Sequence, residues 1–164
     1  EAAAQWRESH KQLQTRYGRL DKRKEDNLLT LQPLAALKVR QMMTALRGLA
    51  DWRLICGLRT YDEQDKLYAK RPKVTNARGG QSMHNFGIAA DVCLFRDGRD
   101  IWAPSEGPDS IYKPVAALAH KLGLVWGGDW RSPYDPGHVQ LGSLPTTTLH
   151  RAYTTGASTL AQLL

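Results

Sequence analysis

The sequence predicts an α+β fold, a small antiparallel sheet flanked by helices. Three observations predict it. Apolar residues recur at helical spacing towards both ends of the chain, three short apolar stretches have the look of strands, and an Asp-Gly turn follows one of them as a hairpin turn would.

Trp6, His10, Leu13, Tyr17 and Leu20 lie at steps of four and three, one face of a helix over residues 2–20. The polar run from Asp21 to Asn27 reads as a connection. A second helix starts near Pro33, a residue tolerated in a first turn, and continues through Val39, Met42, Leu46 and Leu49. Its methionines read as core filler. Arg53 to Gly57 is short, apolar and closed by glycine, hence a strand. Thr60-Tyr61-Asp62-Glu63 is a capping box, so a helix should begin there and run to about Lys70. Pro72, Asn76 and Gly79-Gly80 make Arg71 to Met83 a loop.

Ile88 to Phe95 is the second strand. Asp97-Gly98 turns the chain, and Ile101-Trp102 is a candidate return strand. Ser110 to Leu122 reads as a helix with Val115, Leu118 and Leu122 inward and Gly123 as its stop. Gly127-Gly128 and Pro133 to Gly137 mark turns before a third strand, His138 to Leu141. The tail, Thr146 to Leu164, is helical with a break at Gly156. The whole of 1–164 is expected to form one domain, a length that can bury a core of its own.

Composition narrows the function. Net charge is +7, which favours polyanionic partners such as nucleic acid, anionic lipid or wall polymers. The one dense basic run, Lys22-Arg23-Lys24, is offset at once by Glu25 and Asp26, and no helix carries a basic stripe interleaved with aromatics. Nucleic acid is therefore not expected as a partner. The apolar runs are only a few residues long, so no stable membrane insertion is expected, and the chain should act as a monomer. It opens on Glu1 rather than methionine, as it would after removal of a leader or inside a longer product. Cys56 and Cys93 are too few for a disulfide scaffold and lie in strand-like segments; free buried thiols are favoured over a disulfide between them.

The chemistry gathers between Ser82 and Asp91. Strand alternation puts Ala89, Asp91 and Cys93 on one face and the apolar Ala90, Val92 and Leu94 on the other. A carboxylate then stands away from the core beside a small alanine. His84 lies seven residues earlier and would point the other way on a continuous strand, but Gly87 supplies a bend that brings it back. On the third strand His138 and Gln140 share a face while Val139 and Leu141 take the core side. Two imidazoles and one carboxylate converging from these strands would make a three-ligand zinc site with a fourth position open; on spacing alone the same residues also fit a loop histidine, a strand-end hydrogen bonder and a surface histidine. Asp135, linked to His138 across Pro136-Gly137, is placed as general base and then as proton donor to a leaving amine. Arg59 directly follows the first strand, where a guanidinium could stabilise an oxyanion.

Ser82-x-His84-x-x-Gly87-x-Ala89-x-Asp91, followed downstream by Asp135-x-x-His138, resembles the M15 family of zinc peptidases. Gly57-Leu58-Arg59-Thr60 with Gln64, Val74-Thr75-Asn76-Ala77 and Trp126-Gly127-Gly128-Asp129-Trp130 extend the likeness over residues 33–142. The resemblance implies one zinc ion on His84, Asp91 and His138, a base at Asp135, a transition-state arginine at Arg59, and supporting roles towards ligand or substrate for Ser82 and Gln64. It implies the α+β fold that these peptidases share with the hedgehog signalling domain. Within the family the likeness is greatest to the L-alanyl-D-glutamate endopeptidases of endolysins and autolysins, which implies cleavage of a peptidoglycan stem peptide at the cell wall, in the periplasm or after secretion or phage release. Many members carry Glu as the base; Asp135 is one methylene shorter, as in the endopeptidase branch. Asp129 is the competing carboxylate. Trp126 and Trp130 are expected to divide between core and substrate groove.

Three other readings stand beside this one. A D-Ala-D-Ala carboxypeptidase of the same family would cut a different bond. A zinc-retaining binding domain would have no use for Asp135 and Arg59. A non-haem iron oxygenase also uses two histidines and a carboxylate, but usually with the first two ligands two residues apart.

Overall fold

The computed structural model describes residues 2–102 and 111–155. Helix α1 spans Ala2–Tyr17, α2 Lys22–Leu29 and α3 Pro33–Arg47; strand β1 spans Asp51–Cys56, and α4 spans Tyr61–Ala69. A single 3-10 turn, Met83–Phe86, leads into β2 (Ala89–Arg96) and β3 (Arg99–Ile101). Then come α5 (Lys113–Lys121), β4 (Val125–Trp126), a 3-10 turn at Gly127–Asp129, β5 (His138–Gln140) and α6 (Thr146–Thr155).

The five strands form one antiparallel sheet in the order β1-β2-β5-β4, with the short β3 pairing the far end of β2. This is the α+β arrangement expected. β2 is the hub, paired to β1 along one edge and to β5 and then β3 along the other. Its inward residues Ala90, Val92 and Leu94 are almost fully buried with Leu54, Trp52 and Val139. They join Ala36, Val39, Met42, Met43 and Leu46 of α3 and Val115 and Ala119 of α5 in one apolar cluster. Burial of that surface is the main source of cohesion. It commits one face of the sheet to the core and leaves the other for chemistry.

Four expectations are revised. The run read as a connection at Asp21–Asn27 is mostly the helix α2: Asp21 caps it by accepting from the Lys24 amide, and Leu28 and Glu25 face inward. The helix read to Leu20 stops at Tyr17, with Gly18 in the left-handed region just beyond. Val125-Trp126 is a short strand that the glycine pair after it had concealed. Both cysteines are free, as expected, with Cys93 buried and Cys56 partly so. The helix expected from Ser110 begins at Lys113, Ser110 itself lying outside the described residues, as does the tail beyond Thr155 with its break at Gly156. The capping box at Thr60 and Glu63 is formed in both directions.

A second, smaller apolar cluster lies on the chemical side. Phe86 and Ile88 pack with Leu149 and Ala152 of α6, so the C-terminal helix buttresses the turn that carries His84. The Tyr61 hydroxyl also lies 2.6 Å from His150 Nδ1, tying α4 to α6. Among the described residues no helix is long and apolar enough to cross a membrane.

Candidate active site

Register places the central carboxylate. Asp91 on β2 lies opposite Cys56 on β1 and opposite His138 on β5, so all three share a face in one row across the sheet. On β1 this needs an irregularity. Leu54 pairs with Val92, yet Cys56 rather than Ile55 pairs with Asp91. The extra residue is a bulge, a feature that re-aims side chains beside sites.

His84 comes from outside the sheet. Ser82 opens the 3-10 turn and its hydroxyl accepts from the His84 amide at 3.3 Å. Asn85 accepts from the Gly80 and Ser82 amides and donates to Arg59 O at 2.9 Å, binding the preceding loop to the end of β1. Gly87 ends the turn at φ +68°, and a Cβ there would meet Thr30 O at 3.2 Å, so the chain reverses where a side chain would be both strained and crowded. His84 Nδ1 donates to Gly57 O at 2.9 Å, which aims Nε2 at Asp91 Oδ2, 3.2 Å away. Ser82 thus serves as a cap for the turn.

His138 approaches from the other side. Its Nδ1 lies 3.3 Å from Asp91 Oδ1 and 4.0 Å from Asp135 Oδ2, and its Nε2 lies 2.8 Å from Gln140 Oε1. The segment bearing Asp135 presses against Gly127, where only a glycine fits: a Cβ there would collide with Asp135 O and sit 3.0 Å from His138 Cβ. The Trp130 ring stands beside His138, centroids 5.1 Å apart.

Arg59 lies across the mouth. Its amide donates to His84 O at 2.9 Å, and its guanidinium reaches Gln64 Oε1 at 2.9 Å, Cys56 Sγ at 3.4 Å and Asp91 Oδ2 at 3.7 Å. Gln64 was expected to support ligand or substrate. It is buried, with Oε1 on Arg59 and Nε2 on Ala77 O, so its place is beneath the arginine rather than in the groove. Trp126 is a core residue whose Nε1 donates to Pro136 O at 2.8 Å, leaving Trp130 as the aromatic that faces the site. Asp129 points away and pairs with His120 at 2.6 Å. Sequence reasoning gave no role to Cys56 or Gln140; a bulge hides the first, and only the shared face with His138 signalled the second.

The electrostatics follow from these distances. Burial opposes a charge on His84, but Asp91 beside it outweighs burial and raises its pKa to about 10. Burial likewise opposes the charge of Asp91, and His84 and His138 overcome it, holding the carboxyl below the usual range. Asp135 moves the other way: partial burial and the negative charge of Asp91 both raise it.

The donor set suits a metal. Asp91 belongs to two clusters of ligand atoms lying within 4.8 Å of one another, with Cys56 and His84 on one side and with Asp135 and His138 on the other. The His84–Asp91 and His138–Asp91 separations of 3.2 and 3.3 Å match the edge of about 3.3 Å in a tetrahedron built on zinc–ligand bonds near 2.0–2.1 Å. Two imidazoles with their outer nitrogens engaged, plus one carboxylate, fit zinc.

A sequence model described as D-alanyl-D-alanine carboxypeptidase, of the M15 peptidases, matches residues 75–141. The peptidoglycan L-alanyl-D-glutamate endopeptidase CwlK of Bacillus subtilis (strain 168) is 37% identical over 118 residues, which cover 63% of this chain and 71% of that protein. The crystal structure of the Serratia marcescens L-Ala D-Glu endopeptidase ChiX superposes with a TM-score of 0.56 at 27% identity, covering 78% of this chain and 92% of that one. The matched residues include every candidate ligand and Asp135, and the wider alignment is long enough to fix the kinship: this chain belongs to the M15 family of peptidases.

Proposed function

We propose that the protein is a zinc-dependent peptidase of the cell wall that hydrolyses the L-Ala–D-Glu bond of peptidoglycan stem peptides, with His84, Asp91 and His138 as metal ligands. The observation that carries this is the carboxylate of Asp91 set between two imidazoles, with a second carboxylate and a guanidinium at the rim of the same cluster. A zinc ion bound there supplies Lewis-acid polarisation of the scissile carbonyl and acidifies a water.

The chain's own residues do the rest. Asp135 is partly exposed and more basic than an ordinary aspartate, which suits it to take a proton from the attacking water. The water oxygen bonds to the carbonyl carbon, the C–N bond breaks, and the same proton passes from Asp135 to the departing amine. Arg59, held by Gln64 and by its own backbone, faces the oxygen on which negative charge develops. Trp130 walls the groove on the His138 side. The net charge of +7 suits an acidic, wall-bound polymer.

Digestion of purified peptidoglycan by the zinc-loaded protein, with mass spectrometry of the fragments, tests this reading. New C-terminal L-Ala and N-terminal D-Glu are expected. Release of terminal D-Ala would instead favour the carboxypeptidase named by the family description, and intact stems would refute hydrolysis altogether.

A further inference from the structure

The two histidines present opposite nitrogens to Asp91, and each is locked by an acceptor on its far side. For His84 the acceptor is a backbone carbonyl, Gly57 O, bonded to Nδ1. For His138 it is a side chain, Gln140 Oε1, 2.8 Å from Nε2. The orientation of that amide is not free. Gln140 Nε2 lies 2.6 Å from Gly142 O, which can only accept, so the NH2 group must face Gly142 and the oxygen must face His138. An amide oxygen also only accepts, so Nε2 of His138 must carry hydrogen. In the neutral imidazole that a metal ion would require, the lone pair then belongs to Nδ1, the nitrogen 3.3 Å from Asp91 Oδ1. His138 and Gln140 are both nearly fully buried, 6% and 4% exposed, so water does not compete for these bonds.

We propose that Gln140 is the positioning residue for His138: it relays the Gly142 carbonyl to Nε2, fixes the imidazole's rotation and tautomer, and thereby presents Nδ1 to the metal. The inference rests on His138 being a ligand, as proposed above. It explains why strand β5, only three residues long, spends an otherwise apolar packing position on an amide. Gln140 lies opposite the small Ala89 on β2 and Val125 on β4, neighbours whose side chains offer its amide no hydrogen bond. Gln140 hydrogen-bonds to His138 and Gly142 and, among the described residues, to neither Asp135 nor Arg59, so its effect should enter through the ligand rather than through proton transfer.

Three proteins test it: wild type, Gln140→Leu, which removes the acceptor while keeping bulk, and Gln140→Glu, which as the neutral acid keeps an acceptor facing His138 and an O–H donor facing Gly142 O. Zinc affinity is measured by competition with a chromophoric chelator. Gln140→Leu should bind zinc about 10- to 100-fold more weakly, the usual cost of losing such an outer partner, while Gln140→Glu stays within about threefold of wild type. Nitrogen-15 spectra of the metal-free proteins give the second readout. The proton on His138 Nε2 should be visible and slow to exchange in wild type and Gln140→Glu, and lost in Gln140→Leu. Unchanged zinc affinity together with an unchanged Nε2 proton in Gln140→Leu would overturn the proposal. If Gln140→Leu loses its fold, the comparison of wild type with Gln140→Glu still decides: a hundredfold weaker affinity and loss of the Nε2 proton in Gln140→Glu would also count against it. Failure of the underlying reading looks different, since His138→Ala would then bind zinc as tightly as wild type.

Discussion

Charge is buried on both sides of this sheet, and the two places complete it differently. Beneath the helices, Glu25 of α2 meets Arg40 of α3, a residue with no exposed surface. Both carboxylate oxygens are taken: Oε1 accepts from Arg40 and the Leu20 amide, Oε2 from Arg40 and Gln14. Across the sheet, the oxygens of Asp91 face His84, His138 and Arg59 at 3.2 to 3.7 Å, with Asp135 bringing a second negative charge to the same cluster. The carboxylate of the first cluster is saturated by the chain itself, although Nε of Arg40 is buried with no partner among the described residues. The second is assembled but left short of partners, with like charges held close. Saturation serves the fold; incompleteness leaves room for a cation and a substrate.

The widest gap between the two should open at Asp135. Asp135→Asn is expected to lower turnover of peptidoglycan by about 10²- to 10⁴-fold, the usual share of a general base, while zinc content is unchanged. Because it removes a negative charge facing Asp91, the same change should leave the metal-free protein as stable as wild type or more so. Metal analysis and thermal unfolding of the chelated protein check both halves; clear destabilisation would mean that the site is part of the scaffold.

Glu25 should behave in the opposite sense. Glu25→Ala strands Arg40 in the interior, at a cost of about 3–5 kcal/mol of stability, and folded protein should keep its activity per bound zinc. Replacing both partners with Leu and Met should recover most of the loss, since a well-packed apolar pair is often as stable as a buried ion pair. Urea denaturation curves of the wild type and the two variants decide. A double variant no better than the single one would show that Gln14 and the Leu20 amide, not the pair, set the cost.

The same contrast explains what could be read in advance. The alternation of Ala90, Val92 and Leu94 against Asp91 is local, and so the sheet's core face was legible. Gly87 and the paired glycines at 127 and 128 announced reversals of the chain near the histidines. Helix α2 was not legible, because its run of Lys, Arg, Glu and Asp looks solvated until Arg40 arrives fifteen residues later to bury Glu25. Cys56 was hidden for a related reason: a bulge moves it one place along, and alternation cannot foresee a bulge. Gln64 was legible as important but not in its role, since only the fold brings Ala77 O and Arg59 to the two ends of its amide.

Acid provides the mildest test of the helical cluster. His10 of α1 is buried against Trp6, with Nε2 donating to Leu31 O, and the charged groups facing it are Arg40 and Glu25. Burial, aided by Arg40, lowers its pKa below 6.5 despite the Leu31 carbonyl and Glu25. The folded chain therefore binds this proton less readily than the unfolded chain. Stability from His10 is complete above about 6.5 and declines as pH falls towards its depressed folded value. Glu25 adds a second, lower window. Burial resists its charge, but Arg40, the Leu20 amide and Gln14 prevail and hold its pKa below 4.5, so its contribution is present above that pH and fades beneath it. Denaturation midpoints measured down the pH scale should fall in two steps, and His10→Leu should erase the upper one alone. An upper step that survived His10→Leu would mean that the first helix is held by its apolar face without help from the neutral imidazole.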